Sequence, residues 1–118
     1  MANWLIGDGK GVMMFGSCEI GSEEPSPAVP ITIKSRSQYS MGGVSVGARG
    51  PGRDLLQFAA DVDGEPGVWA AVGEEVTPGR VIHPGESFNV WARIVPPPED
   101  TEPGNVAFQI NIDAFVVG

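Results

Sequence analysis

The amino-acid sequence predicts an all-β fold, an antiparallel β-sandwich of about seven or eight strands. Two segments near the carboxyl terminus, 88–94 and 106–116, alternate apolar and polar residues, which is typical of strands with one buried face. In addition, seventeen glycines and eleven prolines divide the 118 residues into short pieces, as in sandwiches and barrels. Both observations argue against a helical fold.

The two alternating segments also indicate which side chains form the core. A slip of one residue in either strand would expose every core side chain, so their register is strongly specified. We interpret the two segments as the strands of one hairpin, joined by a loop rich in proline and acidic residues. The apolar sets are Phe88, Val90, Ala92 and Ile94 in the first segment and Val106, Phe108, Ile110, Ile112, Ala114 and Val116 in the second.

Turn residues separate the predicted strands. Pro-Gly pairs begin at positions 51, 66, 78, 84 and 103, and Asp63-Gly64 suits a tight hairpin turn. Residues 21–30 are expected to form a surface crossover and not a domain linker. In chain order, the predicted strands are 11–20, 29–34, 39–46, 55–62, 68–72, 80–83, 87–94 and 106–117.

One of these segments, 54–63, fits two interpretations. Its apolar residues have helical spacing, and Asp54 and Gly64 suit the two ends of a helix. However, the even-numbered residues from Leu56 to Val62 are all apolar and alternate with the residues between them. We favour the strand.

Length and cysteine content indicate a single domain, residues 1–118, made in the cytoplasm. A chain of this size buries roughly two thirds of its unfolded surface, which is enough for stability without disulfides. Cys18 is the only cysteine, as expected for folding in a reducing compartment. The apolar stretch near the amino terminus is too short for a signal peptide or a membrane span. We therefore expect the protein to leave the cell only as part of a particle.

The formal net charge of −8 argues against nucleic acid and anionic membranes as partners. The charge is uneven, because residues 25–53 carry four basic residues and no acid, whereas the remainder to the carboxyl terminus is acidic. One interpretation is the ordinary unevenness of a small surface. The other is complementary contact with an acidic partner or a second copy through the basic loop that contains Arg49 and Arg53.

No catalytic residue, cofactor or structural metal site is predicted. His83 is the only histidine, and its position in the sequence does not place it beside a nucleophile and an orienting carboxylate. One cysteine and one histidine do not complete a zinc site. The run from Asp61 to Glu65 has alternating acidic residues around a glycine, as in part of a calcium loop, but a plain Asp-Gly hairpin turn is the favoured interpretation. We expect a protein that is not an enzyme.

Large apolar residues occupy the polar register of several strands. Trp91 and Phe115 lie opposite the core set of their strands, and Trp69 lies in another short strand. Three explanations are open: coverage within the monomer, a subunit interface, or a platform for sugar rings. Sugar binding is favoured by the polar residues that share the register of Trp91 and Phe115, namely Asn89, Gln109, Asn111 and Asp113.

The amino-terminal residues 1–24 are a candidate docking segment. They contain two apolar clusters, Trp4, Leu5, Ile6 and Met13, Met14, Phe15. Free termini of small domains fray unless they are held by a neighbour or by the sheet of the same chain. The segment is therefore either an assembly contact or a terminal strand.

The carboxy-terminal third resembles the same region of immunoglobulin-like β-sandwich modules. The resemblance rests on the turn Pro84-Gly85-Glu86, the strand with Phe88, Val90 and Ala92, a loop with Pro96 and Gly104, and the final strand from Phe108 to Ala114. It implies an immunoglobulin-like sandwich and no particular activity, because adhesins, chaperones, accessory modules and virion proteins share this fold. The cysteine pair and the core tryptophan of antibody domains are absent.

These features lead to several hypotheses of different classes. The favoured one is a non-enzymatic virion structural protein, since the chain is similar in type to small decoration proteins of tailed-phage capsids; a phage tail or other virion component is a close variant. Its expected partners are a shell protein or further copies of the chain, as a homo-oligomer. The second is a carbohydrate- or cell-surface-binding module that uses Trp69, Trp91 or Phe115. The third is an accessory domain of an enzyme or a degenerate fragment of a hydrolase.

Overall fold

A computed structural model describes residues 4–7, 23–97 and 108–117. These residues form seven strands and one short 3₁₀ helix. The strands are β1 (Trp4–Ile6), β2 (Val29–Ser35), β3 (Ser40–Arg49), β4 (Leu56–Val62), β5 (Glu65–Trp69), β6 (Ser87–Ile94) and β7 (Gln109–Val117), and the 3₁₀ helix is Pro51–Leu55.

The strands form two antiparallel sheets. The first has five strands in the order β1-β2-β6-β4-β5, and the second pairs β3 with β7. Segment 76–82 extends the second sheet on the other side of β3, through bridges from Met41 to Ile82 and from Val46 to Val76. The prediction of an all-β, antiparallel two-sheet fold is confirmed. Its immunoglobulin-like connectivity stays a prediction.

The core lies between the two sheets. Val90 is completely buried, as are Ile33 of β2 and Val46 of β3. The alternation in β6 has the predicted phase, because Phe88, Val90 and Ala92 face the core. Four residues predicted for the core are half-buried and pack against the same cluster: Phe108 just before β7, then Ile110, Ile112 and Ala114. The prediction for Val116 is wrong, because it lies near the end of β7 and is 57 % exposed, and Val106 lies outside the described residues.

The predicted hairpin between the two alternating segments is wrong. β6 is a central strand that pairs with β2 and β4, whereas β7 pairs with β3 in the other sheet. Alternation specifies which face of a strand is buried but not which strand lies beside it. The connection between β6 and β7 therefore crosses from one sheet to the other.

Segment 54–63 is a strand for most of its length, as favoured. The 3₁₀ helix ends at Leu55 and β4 begins at Leu56, so the helical alternative is wrong. The turn at Asp63-Gly64 is also confirmed, since both residues have positive φ, 52° and 87°, as a type I′ hairpin requires.

Other predictions need correction. Pro66 and Gly67 are not a turn but lie inside β5, where the register shifts against β4. Proline is tolerated there because β5 is the edge strand of its sheet. The predicted strand 80–83 is reduced to the single bridge at Ile82, and the predicted strand 11–20 lies outside the described residues. In the described residues, no helix is long and apolar enough to cross a membrane.

Candidate binding surfaces

Two tryptophans flank one alanine on the outer face of the five-stranded sheet. Ala59 of β4 is paired with Trp91 of β6 on one side and with Trp69 of β5 on the other. Although Ala59 faces away from the core, it is 0 % exposed, since the neighbouring indoles cover it. Both tryptophans remain only half-buried. We call Gln57, Asp61, Trp69, Trp91 and Arg93 the tryptophan surface.

Polar contacts fix the orientation of the side chains on the tryptophan surface. The indole Nε1 of Trp91 donates a hydrogen bond to Oδ1 of Asp61, at 2.8 Å. The Nε of Arg93 donates to Oε1 of Gln57, also at 2.8 Å. The guanidinium carbon of Arg93 lies 4.2 Å from the ring centroid of Trp69, a cation–π contact.

Arg93 is therefore held from two sides, while part of its binding capacity is unused. Guanidinium carries five N–H donors, and the bond to Gln57 uses only the one on Nε. Arg93 makes no ion pair and no other hydrogen bond with the described residues. Its two terminal nitrogens are the groups through which arginine binds a carboxylate or phosphate with two parallel hydrogen bonds.

A polar pair continues the same face beyond Trp91. Asn89 precedes Trp91 by two residues on β6, so both side chains lie on the outer face. Thr32 of β2 is paired with Asn89, and its hydroxyl donates to Oδ1 of that residue at 2.8 Å. The outer face thus combines aromatic rings, one fixed cation and several hydrogen-bonding groups.

The second surface is an apolar patch at one end of the β3–β7 sheet. Among the described residues, eight large apolar side chains are exposed, and five of them lie at this end of the second sheet. Phe115 is 62 % exposed and lies over Gly42 and Gly43 of the neighbouring strand. We call these five residues the carboxy-terminal patch: Tyr39, Val81, Phe115, Val116 and Val117.

The sequence does not separate these two surfaces, but the structure does. Trp69 and Trp91 lie on the five-stranded sheet, whereas Phe115 lies on the other sheet. The polar residues are divided in the same way. Asn89 accompanies Trp91, and Gln109, Asn111 and Asp113 accompany Phe115. The prediction that all four polar residues share one face is wrong, because β6 and β7 are not neighbours.

Trp4, Leu5 and Ile6 form strand β1, the edge strand that pairs with β2. The rings of Trp4 and Phe88 meet edge to face, with centroids 6.1 Å apart. Trp4 and Ile6 pack against the core. Of the two interpretations of this segment, an assembly contact or a strand in the sheet of the same chain, the structure shows the strand for these three residues. Met13, Met14 and Phe15 lie outside the described residues.

The two arginines of the basic loop are both exposed. Arg49 ends β3 and is paired with Gln109 on the outer face of the second sheet. The Nε of Arg53 lies 3.8 Å from a carboxylate oxygen of Asp54, but both side chains are well exposed, so this pair contributes little to stability. Both cations are therefore accessible to a partner.

A contact between Ser40 and His83 is not predicted by the sequence. The hydroxyl of Ser40 and Nδ1 of His83 are 2.9 Å apart, across β3 and the segment beside it. The nearby Glu86 accepts a hydrogen bond from the backbone N–H of His83, at 2.7 Å, and lies 3.6 Å from Arg80. In the described residues no carboxylate is hydrogen-bonded to the imidazole ring. Within the part of the chain that the structure describes, the pair has no third group of the kind that orients a catalytic histidine.

The acidic residues around the β4–β5 turn have separate structural roles and do not form one site. Asp61 accepts the indole hydrogen bond of Trp91, and Asp63 is part of the turn itself. Within the described ranges no group of three or more histidine, cysteine, aspartate or glutamate residues is placed to hold a metal ion.

The chain was compared with protein-family models, curated protein sequences and solved structures. None of the three comparisons gives a match.

Proposed function

We propose that this chain is a non-enzymatic structural protein that acts through repeated protein–protein contacts, as a capsid decoration or stabilising protein of a virion. The observation that supports the proposal is the carboxy-terminal patch. Large apolar side chains scattered singly on a surface need no explanation, but five of them at one end of a sheet are typical of an interaction site, although Val116 projects from the opposite face to Phe115 and Val117.

The composition of strand β7 adds to this support. Among the described residues β7 pairs only with β3, so within that part of the chain its other side is a sheet edge. Exposed edges are usually protected by lysine, proline or a bulge in the strand. The nine residues of β7 contain no lysine, arginine or proline. Such an edge, ending in Phe115, Val116 and Val117, is suited to contact with another protein chain.

Charge supplies a second element of the proposed contact. Arg49 lies on the same outer face as Phe115, at the far end of β7, and the loop that follows carries Arg53. The chain as a whole is acidic, with a net charge of −8. A basic loop at one end of the interaction face would orient an acidic partner, whether a shell subunit or a second copy.

The experiment compares oligomeric state across matched variants. We expect the unaltered protein to sediment as a dimer or larger species, and Val116→Lys to shift it towards monomer, because Val116 is exposed within the patch. Val68→Lys is the control, since Val68 is 92 % exposed but lies on the other sheet. A concentration-independent monomer contradicts self-assembly. Capsid or tail genes next to the gene for this chain would support the virion assignment, and a metabolic gene cluster would contradict it.

A second candidate function is a carbohydrate- or cell-surface-binding module. The specific observation that favours it is the tryptophan surface, with two half-buried indoles beside a fixed arginine. Aromatic rings with adjacent hydrogen-bonding groups suit sugars, which present one apolar face and a rim of hydroxyls. Trp91→Ala separates the two candidates, because loss of sugar binding with unchanged mass supports only the second.

A further inference from the structure

Arg93 differs from the other described arginines in stacking on an aromatic ring. Arg53 makes a long ion pair of 3.8 Å with Asp54, and Arg80 lies 3.6 Å from Glu86 and donates to the carbonyl of Ser87 at 3.2 Å, with the side chains well exposed. Arg93 instead stacks on Trp69, donates its Nε proton to Gln57 and has no acidic partner among the described residues. A guanidinium ordered in advance loses less entropy when it binds, so it is better suited to ligand recognition than a mobile side chain.

We infer that Arg93 and Trp91 form a binding site for an acidic saccharide, in which Arg93 binds a carboxylate of the sugar and Trp91 packs against the adjacent ring. This inference deepens the second candidate function and does not depend on the carboxy-terminal patch. The two residues are two positions apart on β6, so their side chains project from the same face of the sheet and their Cα atoms are about 7 Å apart.

The groups around the two residues favour a sugar over an acidic peptide. Asp61 uses one carboxylate oxygen for the indole of Trp91, and the other oxygen is an acceptor for sugar hydroxyls. Asn89 and Thr32 continue the row with further polar atoms. The site thus combines one cation for one carboxylate with several partners for hydroxyls.

The stacking of Arg93 on Trp69 assigns different tasks to the two indoles. With the guanidinium 4.2 Å from its centroid, Trp69 has one ring face covered by Arg93. Trp69 is therefore a positioning residue that holds the cation. Trp91 is the candidate for direct ring contact, because its hydrogen bond to Asp61 fixes the indole through its edge.

The test measures binding of short polygalacturonate, alginate and hyaluronan oligosaccharides to the unaltered protein, by tryptophan fluorescence and calorimetry. We expect at least one of them to bind, and its methyl ester, which has the same rings without the charge, to bind at least tenfold more weakly. The ester comparison requires no mutation, so it is independent of any effect on folding. Absence of binding by all three acids, or equal binding of acid and ester, overturns the inference.

Matched variants then locate the site. Arg93→Lys keeps the charge but removes the planar fork, and we expect at least tenfold weaker binding; Arg80→Lys, on an exposed arginine elsewhere, is the control. Unchanged binding by Arg93→Lys overturns the assignment, as does tighter binding of an oligoglutamate peptide than of any of the sugars. Val116→Lys tests the proposed assembly function and leaves sugar binding intact, so failure of either proposal can be recognised separately.

Discussion

The aromatic ring of Phe115 occupies the space that a side chain on Gly43 would need. Gly43 also has a φ of +58°, in the left-handed region, where L-residues with a side chain are strained. It lies at the bulge in β3, between the pairs Gly42–Phe115 and Ser45–Asp113. The extra residue shifts the alternation, so that Met41 and Val44 both face the core.

Gly43 is required for two reasons, its positive φ and the space taken by the ring of Phe115, and mutation can separate them. Gly73 has a comparable φ of +82°, but no atom lies within 4 Å of a Cβ placed there. Gly73→Ala is therefore expected to cost about 1–2 kcal/mol from backbone strain alone. Gly43→Ala adds the overlap with Phe115, whose exposed ring must shift from its rotamer, and we expect a further loss of about 0.5–1.5 kcal/mol. Urea denaturation of both variants measures the difference.

A double variant checks the origin of that difference. Phe115→Ala removes the ring, so in its background Gly43→Ala should cost about as much as Gly73→Ala, within about 0.5 kcal/mol. An undiminished penalty in the double variant would show that the ring does not press on this position.

Removal of the ring of Phe58 is expected to produce the largest loss of stability among simple core truncations. Phe58 is 2 % exposed and lies at the centre of β4. Phe58→Ala should lower the free energy of unfolding by about 3–5 kcal/mol, because it removes buried surface and leaves a cavity. Val68→Ala, on an almost fully exposed side chain, should change it by less than about 0.5 kcal/mol. Thermal or urea unfolding followed by tryptophan fluorescence compares the two.

Ser26 links the segment before β2 to the end of β6. Its hydroxyl accepts a hydrogen bond from the backbone N–H of Ile94 at 2.8 Å, and its own N–H donates to the carbonyl of Ile94 at 2.9 Å. Ser26→Ala leaves the backbone N–H of Ile94 without its partner and should lower the free energy of unfolding by about 1–3 kcal/mol. Thr32→Val removes an exposed hydroxyl bond and should cost much less. Equal stability of the Ser26→Ala and unaltered proteins in urea would contradict this role.

The conformation of the β4–β5 turn determines which residues at position 63 keep the protein stable. Asp63 has a φ of +52°, which aspartate and asparagine tolerate better than other residues with a side chain. Asp63→Asn gives the Asn-Gly pair preferred in type I′ turns and should be neutral or slightly stabilising. Asp63→Ala should cost about 1 kcal/mol or more. If alanine were as stable as asparagine in a melting experiment, the assigned turn would be wrong.

The elements that sequence analysis predicted correctly are those that depend on local patterns. Alternation identified the buried face of β6 from Phe88, Val90 and Ala92, and the Asp63-Gly64 pair identified the hairpin turn. Strand partners depend on packing between distant segments, which alternation does not encode, so β6 and β7 were wrongly paired.

The tryptophan surface could be predicted only in part. The outward position of Trp91 follows from its register in β6, whereas its proximity to Trp69 depends on β4 lying between the two strands. The contacts of Arg93 with Gln57 and Trp69 likewise depend on β4 and β5 lying beside β6. Ser40 and His83 are 43 residues apart in the chain, and only the bridge between Met41 and Ile82 brings them together.

Pro66 limits how this molecule can polymerise. It interrupts β5, the outermost strand of the five-stranded sheet, with a residue that has no amide proton. A strand from another molecule that aligned with β5 would lack a hydrogen-bond donor at that point, so fibril-like extension from this side is disfavoured. Contacts through side chains such as Val68 and Glu65 are therefore favoured on this flank, which favours discrete recognition over open-ended aggregation.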